Sequence, residues 1–299
     1  MKFNIGKFVI WVAVIMAVSF ICAGVILMVT GNFSIAVEQI DDSKTFNTGD
    51  INKISMNITS TDINIIPSED EDIRVHFYGE VSTNRNRDIP SLVAYESGDE
   101  LRIEIIKPRT VFIGINVWRT ELDIYIPEDS LELLKIDVVS SDIKVSGLKV
   151  DEFDYKSVSG DLKGESVVAE DIKFNTTSGD VSLKSYTGDA NIHVVSGDLV
   201  LEDGSLNDNI KLVTISGDVY IEQEDPSNID IKTTSGDVGI NISEDAGFYL
   251  KVNTVSGEID NRFPIKIVSS GRRSLEGKVG SGEKEIVVST TSGDIKVDY

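Results

Sequence analysis

The sequence predicts an all-β fold: a parallel β-solenoid (β-helix) with coils of about 19 residues, preceded by one N-terminal transmembrane helix. Three observations predict it. The tripeptide Ser-Gly-Asp recurs at a nearly fixed spacing, apolar residues alternate on both sides of each copy, and a long uncharged stretch lies near the N terminus. A period of roughly 20 residues is typical of solenoids, in which each repeat packs only against its neighbours.

The Ser-Gly-Asp tripeptide and its close variants fill the second half of the chain. They begin at serines that are separated by 19, 19, 18, 20, 19, 21 and 36 residues, so one marker is missing in the last interval. These serines are Ser140, Ser159, Ser178, Ser196, Ser216, Ser235, Ser256 and Ser292. A β-propeller is disfavoured, because its blades need about 40 residues each.

The residues around each serine alternate as in half-buried strands. Positions four and two before the serine, and three and five after it, are mostly aliphatic or β-branched, which favours two short strands with one buried face. Because the step from the serine to the next apolar residue is three, the Gly-Asp pair should turn the chain. Glycine tolerates positive φ there, and aspartate bonds to its own backbone in an Asx turn. We expect parallel stacking of the coils, a variable return segment and an inward ladder of serines.

Two regions depart from the period. The first coil lies near residues 51–66, with Ser60-Thr61-Asp62 at its corner, and residues 67–133 then form an irregular or hairpin-bearing insertion. The strand-like runs of this insertion are Ile73–Phe77, Leu101–Ile106, Val111–Trp118 and Leu122–Ile126. Residues 262–284 form a second interruption, rich in Gly and Ser. The final coil reaches Tyr299 without a recognisable cap, so we expect an open strand edge there.

The stretch from Phe8 to Val29 is uncharged and mostly apolar, which is long enough to span a bilayer core. Lys2 and Lys7 precede it, so the positive-inside rule leaves the N terminus in the cytoplasm and places the rest outside the cell. The alternative is a cleaved signal peptide, but the run exceeds a usual h-region and lacks a convincing small-x-small cleavage site. The predicted localisation is the cell membrane, with a single pass.

The predicted organisation has three parts. Residues 1–30 form a cytoplasmic tip and membrane anchor, residues 31–50 a polar linker, and residues 51–299 an extracytoplasmic solenoid. Cys22, in the anchor, is the single cysteine, so the exported part has no disulfide and no thiol metal site. The net charge of −22 is enough to keep the protein soluble, and it should repel nucleic acid and anionic lipid headgroups.

The corner aspartates are the sharpest candidate site. If they stack in neighbouring coils, like charges about 5 Å apart repel by roughly 1 kcal/mol per pair, and a Ca²⁺ ion would relieve that repulsion. The other interpretation is purely structural, because a Gly-Asp turn needs an Asp-like residue for local reasons. No other cofactor is expected. The candidate metal ligands are Asp161, Asp180, Asp198, Asp218 and Asp237.

Two cationic segments stand out in this acidic chain. Residues 107–119 combine Phe112 and Trp118 with Lys107, Arg109 and Arg119, which would suit contact with a membrane interface or a partner. The alternation from Val111 to Val117 also fits an ordinary packed hairpin strand. A second group of cations lies in the Gly-rich interruption 262–284, where a solvated loop is the default expectation.

Catalysis finds little support in the sequence. The chain has two histidines, His76 and His193, neither with a metal-ligand partner at helpful spacing. The nucleophile elbow, the P-loop and the dinucleotide fingerprint are absent. Because the carboxylates are periodic turn residues, they gather no distinct acid–base pair. We therefore expect that the protein is not an enzyme.

The string Thr-Thr-Ser-Gly-Asp-Val, at residues 176–181 and again at 233–238, resembles the bacterial β-strand-repeat family of unknown function called "putative adhesin". The opening from Lys44 and the close from Gly280 to Ile295 resemble it too, so the likeness covers residues 44–299. Members with one N-terminal span are similar to LiaG, a membrane protein encoded beside a cell-envelope stress-response system. The resemblance implies the solenoid fold and an envelope role, and it offers no catalytic residues.

The expected function is a non-enzymatic binding, adhesion or scaffold module of the cell envelope. One alternative is a polysaccharide-active β-helix enzyme, which would need clustered carboxylates and an Arg on one face. Another is a regulator that contacts membrane proteins through its anchor, where Ala13-x-x-x-Ala17 and Ser19-x-x-x-Ala23 are helix-packing patterns. Expected partners are the membrane and an envelope component or membrane protein. The sequence leaves the oligomeric state open.

Overall fold

The computed structural model describes residues 5–29, 36–83, 89–107, 118–128, 131–204 and 209–299. It contains helix α1 (Ile5–Val29), a 3₁₀ turn (Thr48–Asp50) and 23 strands. The first twelve strands are β1 (Ala36–Asn47), β2 (Lys53–Ile58), β3 (Asp62–Ser68), β4 (Asp72–Thr83), β5 (Ser91–Ser97), β6 (Glu100–Ile106), β7 (Trp118–Pro127), β8 (Leu133–Ser140), β9 (Ile143–Ser146), β10 (Lys149–Ser159), β11 (Leu162–Ser178) and β12 (Val181–Ser196). The others are β13 (Leu199–Glu202), β14 (Asn209–Ser216), β15 (Val219–Gln223), β16 (Asn228–Ser235), β17 (Val238–Ile242), β18 (Phe248–Ser256), β19 (Ile259–Asn261), β20 (Lys266–Gly271), β21 (Ser274–Val279), β22 (Lys284–Ser292) and β23 (Ile295–Asp298). The all-β prediction is confirmed.

Helix α1 leaves its side chains exposed. Every side chain that is described in it, at residues 11–26, is solvent-accessible, including Trp11 and Phe20. Within the part of the chain that the structure describes, no helix meets the length and apolarity that a bilayer crossing needs. The predicted anchor is not confirmed by the structure and stays a prediction.

The solenoid has two strand faces that meet at the Gly-Asp corner. Both consist of parallel strands, and β11 and β12 run from one face to the other. The face before the corner has the stacking order β6, β2, β8, β10, β11, β12, β14, β16, β22 and β18. The face after it has the order β7, β3, β9, β11, β12, β13, β15, β17, β23 and β19. The parallel stack that the repeat predicts is therefore present.

The register between neighbouring coils follows the repeat. Ser159 pairs with Ser178, Ser178 with Ser196, and Ser216 with Ser235. Equivalent side chains therefore lie above one another, and the inward positions form continuous columns. The core is a single cluster of aliphatic residues with aromatics at the wider coils, where Phe174 packs edge-on against Phe153 and Tyr155. Burial of these columns is the main force that holds one coil on the next.

A second corner recurs where the chain begins its return. One residue in each of four coils has positive φ here, and only one of the four is a glycine. The φ values are 57° at Gly147, 57° at Ser166, 53° at Ser185 and 54° at Asp203. The steps between these residues repeat the period. Each non-glycine residue in this conformation costs about 1 kcal/mol or more, which the stacking of the coils offsets. The sequence carries no fixed marker for this corner.

The insertion 67–133 builds the outer coil at the N-terminal end. Strands β6 and β7 stack on the outer side of β2 and β3, so the first coil of the chain is the second coil of the stack. Beyond them, β5 pairs antiparallel with β6, β4 with β7, and β1 with β4. The predicted strand-like runs at residues 73–77, 101–106 and 122–126 lie in β4, β6 and β7. Most of the run 111–118 lies outside the described residues.

The last coil of the chain is inserted into the stack. Strand β22 lies between β16 and β18, and β23 lies between β17 and β19. The expectation of an open edge at the final coil is therefore wrong, because β18 and β19 cover it. The Gly-rich interruption is also ordered: β20 and β21 form an antiparallel hairpin on β18. Arg262 and Lys296 both bridge to Asp298, at 3.1 and 2.8 Å, and fasten this end.

Candidate functional site

The corner glycines let neighbouring coils approach closely. Gly179, Gly197, Gly217 and Gly236 have φ between 124° and 142°, a region that L residues avoid. A Cβ added to any of them would collide with the carbonyl oxygen of the glycine in the adjacent coil. Their N–H groups donate across the stack to the serine carbonyls of the next coil, at 3.0–3.1 Å for these four glycines. The glycine is therefore required by φ and by contact together.

The corner aspartates form a ladder between coils. In each step the backbone N–H of one acid donates to Oδ1 of the acid in the adjacent coil, at 2.7–3.1 Å. In stacking order the ladder is Asp62, Asp142, Asp161, Asp180, Asp198, Asp218, Asp237, Asp294 and Glu258. The predicted bond of each aspartate to its own turn is thus wrong. The carboxylate caps a neighbouring N–H group that would otherwise lack a partner.

The corner serines point outward. All of the serines of the motif from Ser140 to Ser292 are exposed, so the predicted inward ladder is wrong. The alternation of the first strand ends two residues earlier, at a buried Ser, Thr or Val. Two of these hydroxyls turn to a serine carbonyl of their own corner, Ser157 to Ser159 at 3.1 Å and Thr176 to Ser178 at 3.2 Å. The inward and outward alternation is therefore broken at the serine itself, and the positive φ of the glycine that follows turns the chain.

An uncharged column of β-branched side chains runs beside these serines. The residue before each serine is Val, Ile or Thr, and all of them are exposed except Val195, which is half-buried. In stacking order this corner column contains Thr59, Val139, Val158, Thr177, Val195, Ile215, Thr234, Thr291 and Val255. The signal for this column in the sequence is that the position before the serine is invariably β-branched. The column extends over the same nine coils as the aspartate ladder.

The five aspartates that were considered as metal ligands, Asp161 to Asp237, all belong to the hydrogen-bonded ladder. Each uses one carboxylate oxygen to hold the adjacent coil. In the described ranges, no three Asp, Glu, His or Cys side chains come together as a metal ion would require. The cation site stays a prediction, and the observed geometry is that of a structural cap.

Lys107 and Trp118 close over the first corner of the chain. The Lys107 ammonium donates to the Ser60 hydroxyl and lies 4.6 Å from the centre of the Trp118 ring. The indole N–H of Trp118 donates to the Ser60 carbonyl at 2.9 Å. Burial lowers the pKa of Lys107. Arg119 is exposed on β7, and Phe112 lies outside the described residues. Trp118 thus packs on the corner, which makes it a half-buried structural residue.

A polar groove crosses the face before the corner at β6, β2 and β8. Its lining includes Glu100, Arg102, Glu104, Lys135 and Asp137. Arg102 bridges to Glu100 at 2.8 Å, and Lys135 lies 3.8 Å from Asp137. Hydrogen bonds from Ser55 and Arg102 hold the pKa of Glu100 below its usual value. A general acid needs a raised pKa instead, so this lowered pKa speaks against Glu100 in that role. The groove is nevertheless the place where the hypothesis of an enzyme can be tested.

Comparison with known proteins gives a family and a set of similar folds. Residues 51–298 match the family described as Toastrack DUF4097. A "putative adhesin" from Bacteroides fragilis is 16% identical over 87% of this chain and 97% of its own, with a TM-score of 0.46. A "putative adhesin" from Parabacteroides distasonis is 10% identical over 88% and 98%, with a TM-score of 0.41.

A "putative cell adhesion protein" from Clostridium sporogenes is 16% identical over 87% of this chain and 99% of its own, with a TM-score of 0.28. None of the curated proteins compared with the chain matches it. At these identities and TM-scores, the solved structures carry no argument about what this chain binds. The function has to be argued from its own surface.

Proposed function

Because the chain belongs to the Toastrack DUF4097 family over residues 51–298, we propose that it is an extracytoplasmic, non-enzymatic binding or adhesion module of the cell envelope. The observation that carries the proposal is the corner column. It consists of nine β-branched side chains that follow one another along the stack, from Thr59 at one end to Val255 at the other. Five of the nine are Val or Ile and four are Thr, so the column is an uncharged strip on an otherwise charged protein, and grouped exposed apolar side chains are typical of interaction sites.

The regularity of the corner supports binding over chemistry. The column, the exposed serines and the aspartate ladder repeat along the stack with a spacing of about 4.8 Å, so the edge offers many equal contacts. Such an edge suits an extended ligand or surface, since many weak contacts at fixed spacing add up by avidity. A catalytic site instead needs one place that differs from the rest.

Binding to isolated bacterial envelopes tests this proposal. The full chain would be held in lipid nanodiscs and sedimented with peptidoglycan-containing envelopes. We expect the wild-type chain to co-sediment and the double variant Val158→Glu/Ile215→Glu to lose most of the binding, because the charges interrupt the column.

The matched control is Asn175→Glu/Asn191→Glu. These exposed residues lie on the same face outside the column, so the variant adds the same charge and should bind like wild type. Failure of the wild-type chain to sediment, or equal binding by both variants, would contradict the proposal.

A polysaccharide-active enzyme is the second candidate, and the groove at β6, β2 and β8 is the observation that favours it. Its test is release of reducing ends from envelope polysaccharides by the full chain, compared with Glu104→Gln. Activity that this substitution abolishes would establish the enzyme. We expect none, because Glu100 and Asp137 lie beside cations instead of forming an acid–base pair across a gap.

We also propose that residues 8–29 anchor the module in the membrane. The support is the uncharged sequence of this stretch and the exposure of the described side chains of α1 at residues 11–26, since lipid or a partner helix would cover such a surface. Resistance to carbonate extraction tests the anchor. Exchange of the span for an unrelated one tests the regulator alternative, which predicts that function is lost.

A further inference from the structure

The segment 262–284 has the opposite charge from the rest of the protein. It contains six Lys or Arg residues and two Glu residues, a net charge of +4 in a chain whose total is −22. Most of it forms the hairpin β20–β21 at the C-terminal end of the stack. Charge interactions in physiological salt are screened beyond about 8 Å. A surface that touches this hairpin therefore meets a cationic protein, whatever the total charge is.

The hairpin exposes apolar side chains next to its cations. All six residues of β20 are exposed, and Ile267 and Val268 are 58% and 66% accessible. Regular alternation would place the side chains of Ile267 and Val268 on opposite faces of the hairpin. A bulge between Ile267 and Ser269 breaks the register of β20 with β21 at this point. Val255, at the end of the corner column, is 62% exposed. It follows Thr254, whose N–H donates to the Arg273 carbonyl at 3.0 Å.

Like charges lie close together in the hairpin. Lys266 and Lys278 are directly opposite partners on the two strands, a pairing of like charges that costs stability. Arg272 and Arg273 form the turn. None of these four has an ion pair among the residues that the structure describes. The one nearby acid of the hairpin, Glu276, accepts a hydrogen bond from the Tyr249 hydroxyl at 2.6 Å.

From these observations we propose that the hairpin β20–β21 docks on an anionic phospholipid bilayer. Headgroup phosphates supply the charge that the cross-strand lysines and the arginine turn lack, and the interfacial region accepts the exposed Ile267, Val268 and Val255. A soluble anionic polymer would satisfy the cations but gives the apolar side chains no place to go.

The position of the hairpin makes this a second contact, separate from the proposed anchor. Helix α1 joins the solenoid at β1, which lies at the N-terminal end of the stack. The hairpin lies at the other end, nine coil steps away, which at about 4.8 Å per step is roughly 45 Å. Val255 belongs to both surfaces, but the two proposals can be tested apart, because the variants that test the corner column leave Val255 and the hairpin intact.

Vesicle flotation tests the proposal. The full chain in phosphatidylcholine nanodiscs would be mixed with vesicles of phosphatidylcholine alone or with added phosphatidylglycerol. We expect binding only to the anionic vesicles. Arg272→Glu/Arg273→Glu should reduce it by at least ~10-fold, because each basic residue near an anionic surface contributes several-fold. Ile267→Ser/Val268→Ser, which leaves the charge unchanged, should reduce it several-fold.

The matched control is Lys163→Glu/Lys211→Glu. These exposed lysines lie on other parts of the stack, so the variant makes the same change in net charge and should float like wild type. Equal binding to neutral and anionic vesicles would overturn the proposal, as would unaltered binding by the arginine variant. If soluble polyphosphate binds and the serine variant behaves like wild type throughout, the ligand is an anionic polymer and the bilayer proposal is wrong. The envelope assay of the corner column is scored separately, so each proposal can fail alone.

Discussion

Substituting alanine for Gly217 isolates the contact on which the whole corner depends. Gly217 has a φ of 140°, and an added Cβ would lie 2.6 Å from the carbonyl carbon of Gly197 and closer still to its oxygen. Both neighbours of that Cβ are backbone, so no side chain can rotate away. The adjacent coils would have to separate at the corner.

The magnitude follows from two costs. A non-glycine residue at such a φ costs about 1–3 kcal/mol. Separation of the coils also strains the bond from Gly197 N–H to the Ser216 carbonyl, 3.0 Å, and the bond from Asp218 N–H to Oδ1 of Asp198, 2.8 Å, each worth about 1 kcal/mol. The sum is roughly 3–5 kcal/mol. For a domain of this size it lowers the unfolding temperature by roughly 6–20 °C.

The matched control is Gly98→Ala. Gly98 also has positive φ, 69°, but nothing lies within 4 Å of its Cβ position, so only the backbone cost of about 1–2 kcal/mol applies. Thermal unfolding of both variants, followed by circular dichroism on the full chain, measures the difference. Hydrogen exchange at Leu199, whose N–H donates to the Asp218 carbonyl at 2.9 Å, should accelerate only in Gly217→Ala. Equal shifts in the two variants would refute the argument from coil contact.

Three further outcomes follow from the same geometry. Asp198→Asn keeps the Oδ1 acceptor for the Asp218 N–H and relieves repulsion along the ladder, so its unfolding temperature should match or exceed that of the wild type, whereas Asp198→Ala should lose about 1 kcal/mol of stability. If the ladder is a structural cap, the unfolding temperature of the wild type should be the same in Ca²⁺ and in EDTA. A higher unfolding temperature in Ca²⁺ would place a cation there. The Lys296 ammonium holds the pKa of Asp298 below its usual value, so this contribution to stability is complete above pH ~4 and is lost as the pH falls through the lowered pKa; Asp298→Asn should flatten that part of the acid unfolding curve. Deletion of residues 284–299 should unfold the end of the stack instead of trimming it, measured as loss of protection in β16 and β18, and native protection there would contradict the inserted position of β22.

The sequence predicts the repeating unit well and the order of the units poorly. Buried residues at every second position, on both sides of a glycine that needs positive φ, are a local property of the sequence. This pattern was enough to identify the strands on either side of the corner. The second corner escaped detection, because Ser166, Ser185 and Asp203 adopt positive φ without a glycine to mark them. The serines were misplaced for a related reason, since alternation was extended one residue beyond the point where the chain turns.

One of the two candidate surfaces could have been predicted from the sequence, and the other could not. The corner column could have been found from the alignment of the repeats, because every residue before the serine is β-branched. The hairpin β20–β21 could not. Its cations were visible, but their opposition across two strands and the bulge that exposes Ile267 and Val268 depend on the antiparallel register between β20 and β21. That register leaves no period in the sequence.

The inserted coils at both ends change how such a stack should resist unfolding. In a simple solenoid the terminal repeats have one neighbour each and fray first, carrying the chain ends with them. Here β6 and β7 cover the first coil, and β18 and β19 cover the last. Fraying of an outer coil therefore releases an internal loop, while the first and last coils keep a neighbour on one side. A load applied through the N-terminal linker meets β1 and β4 before it reaches a coil.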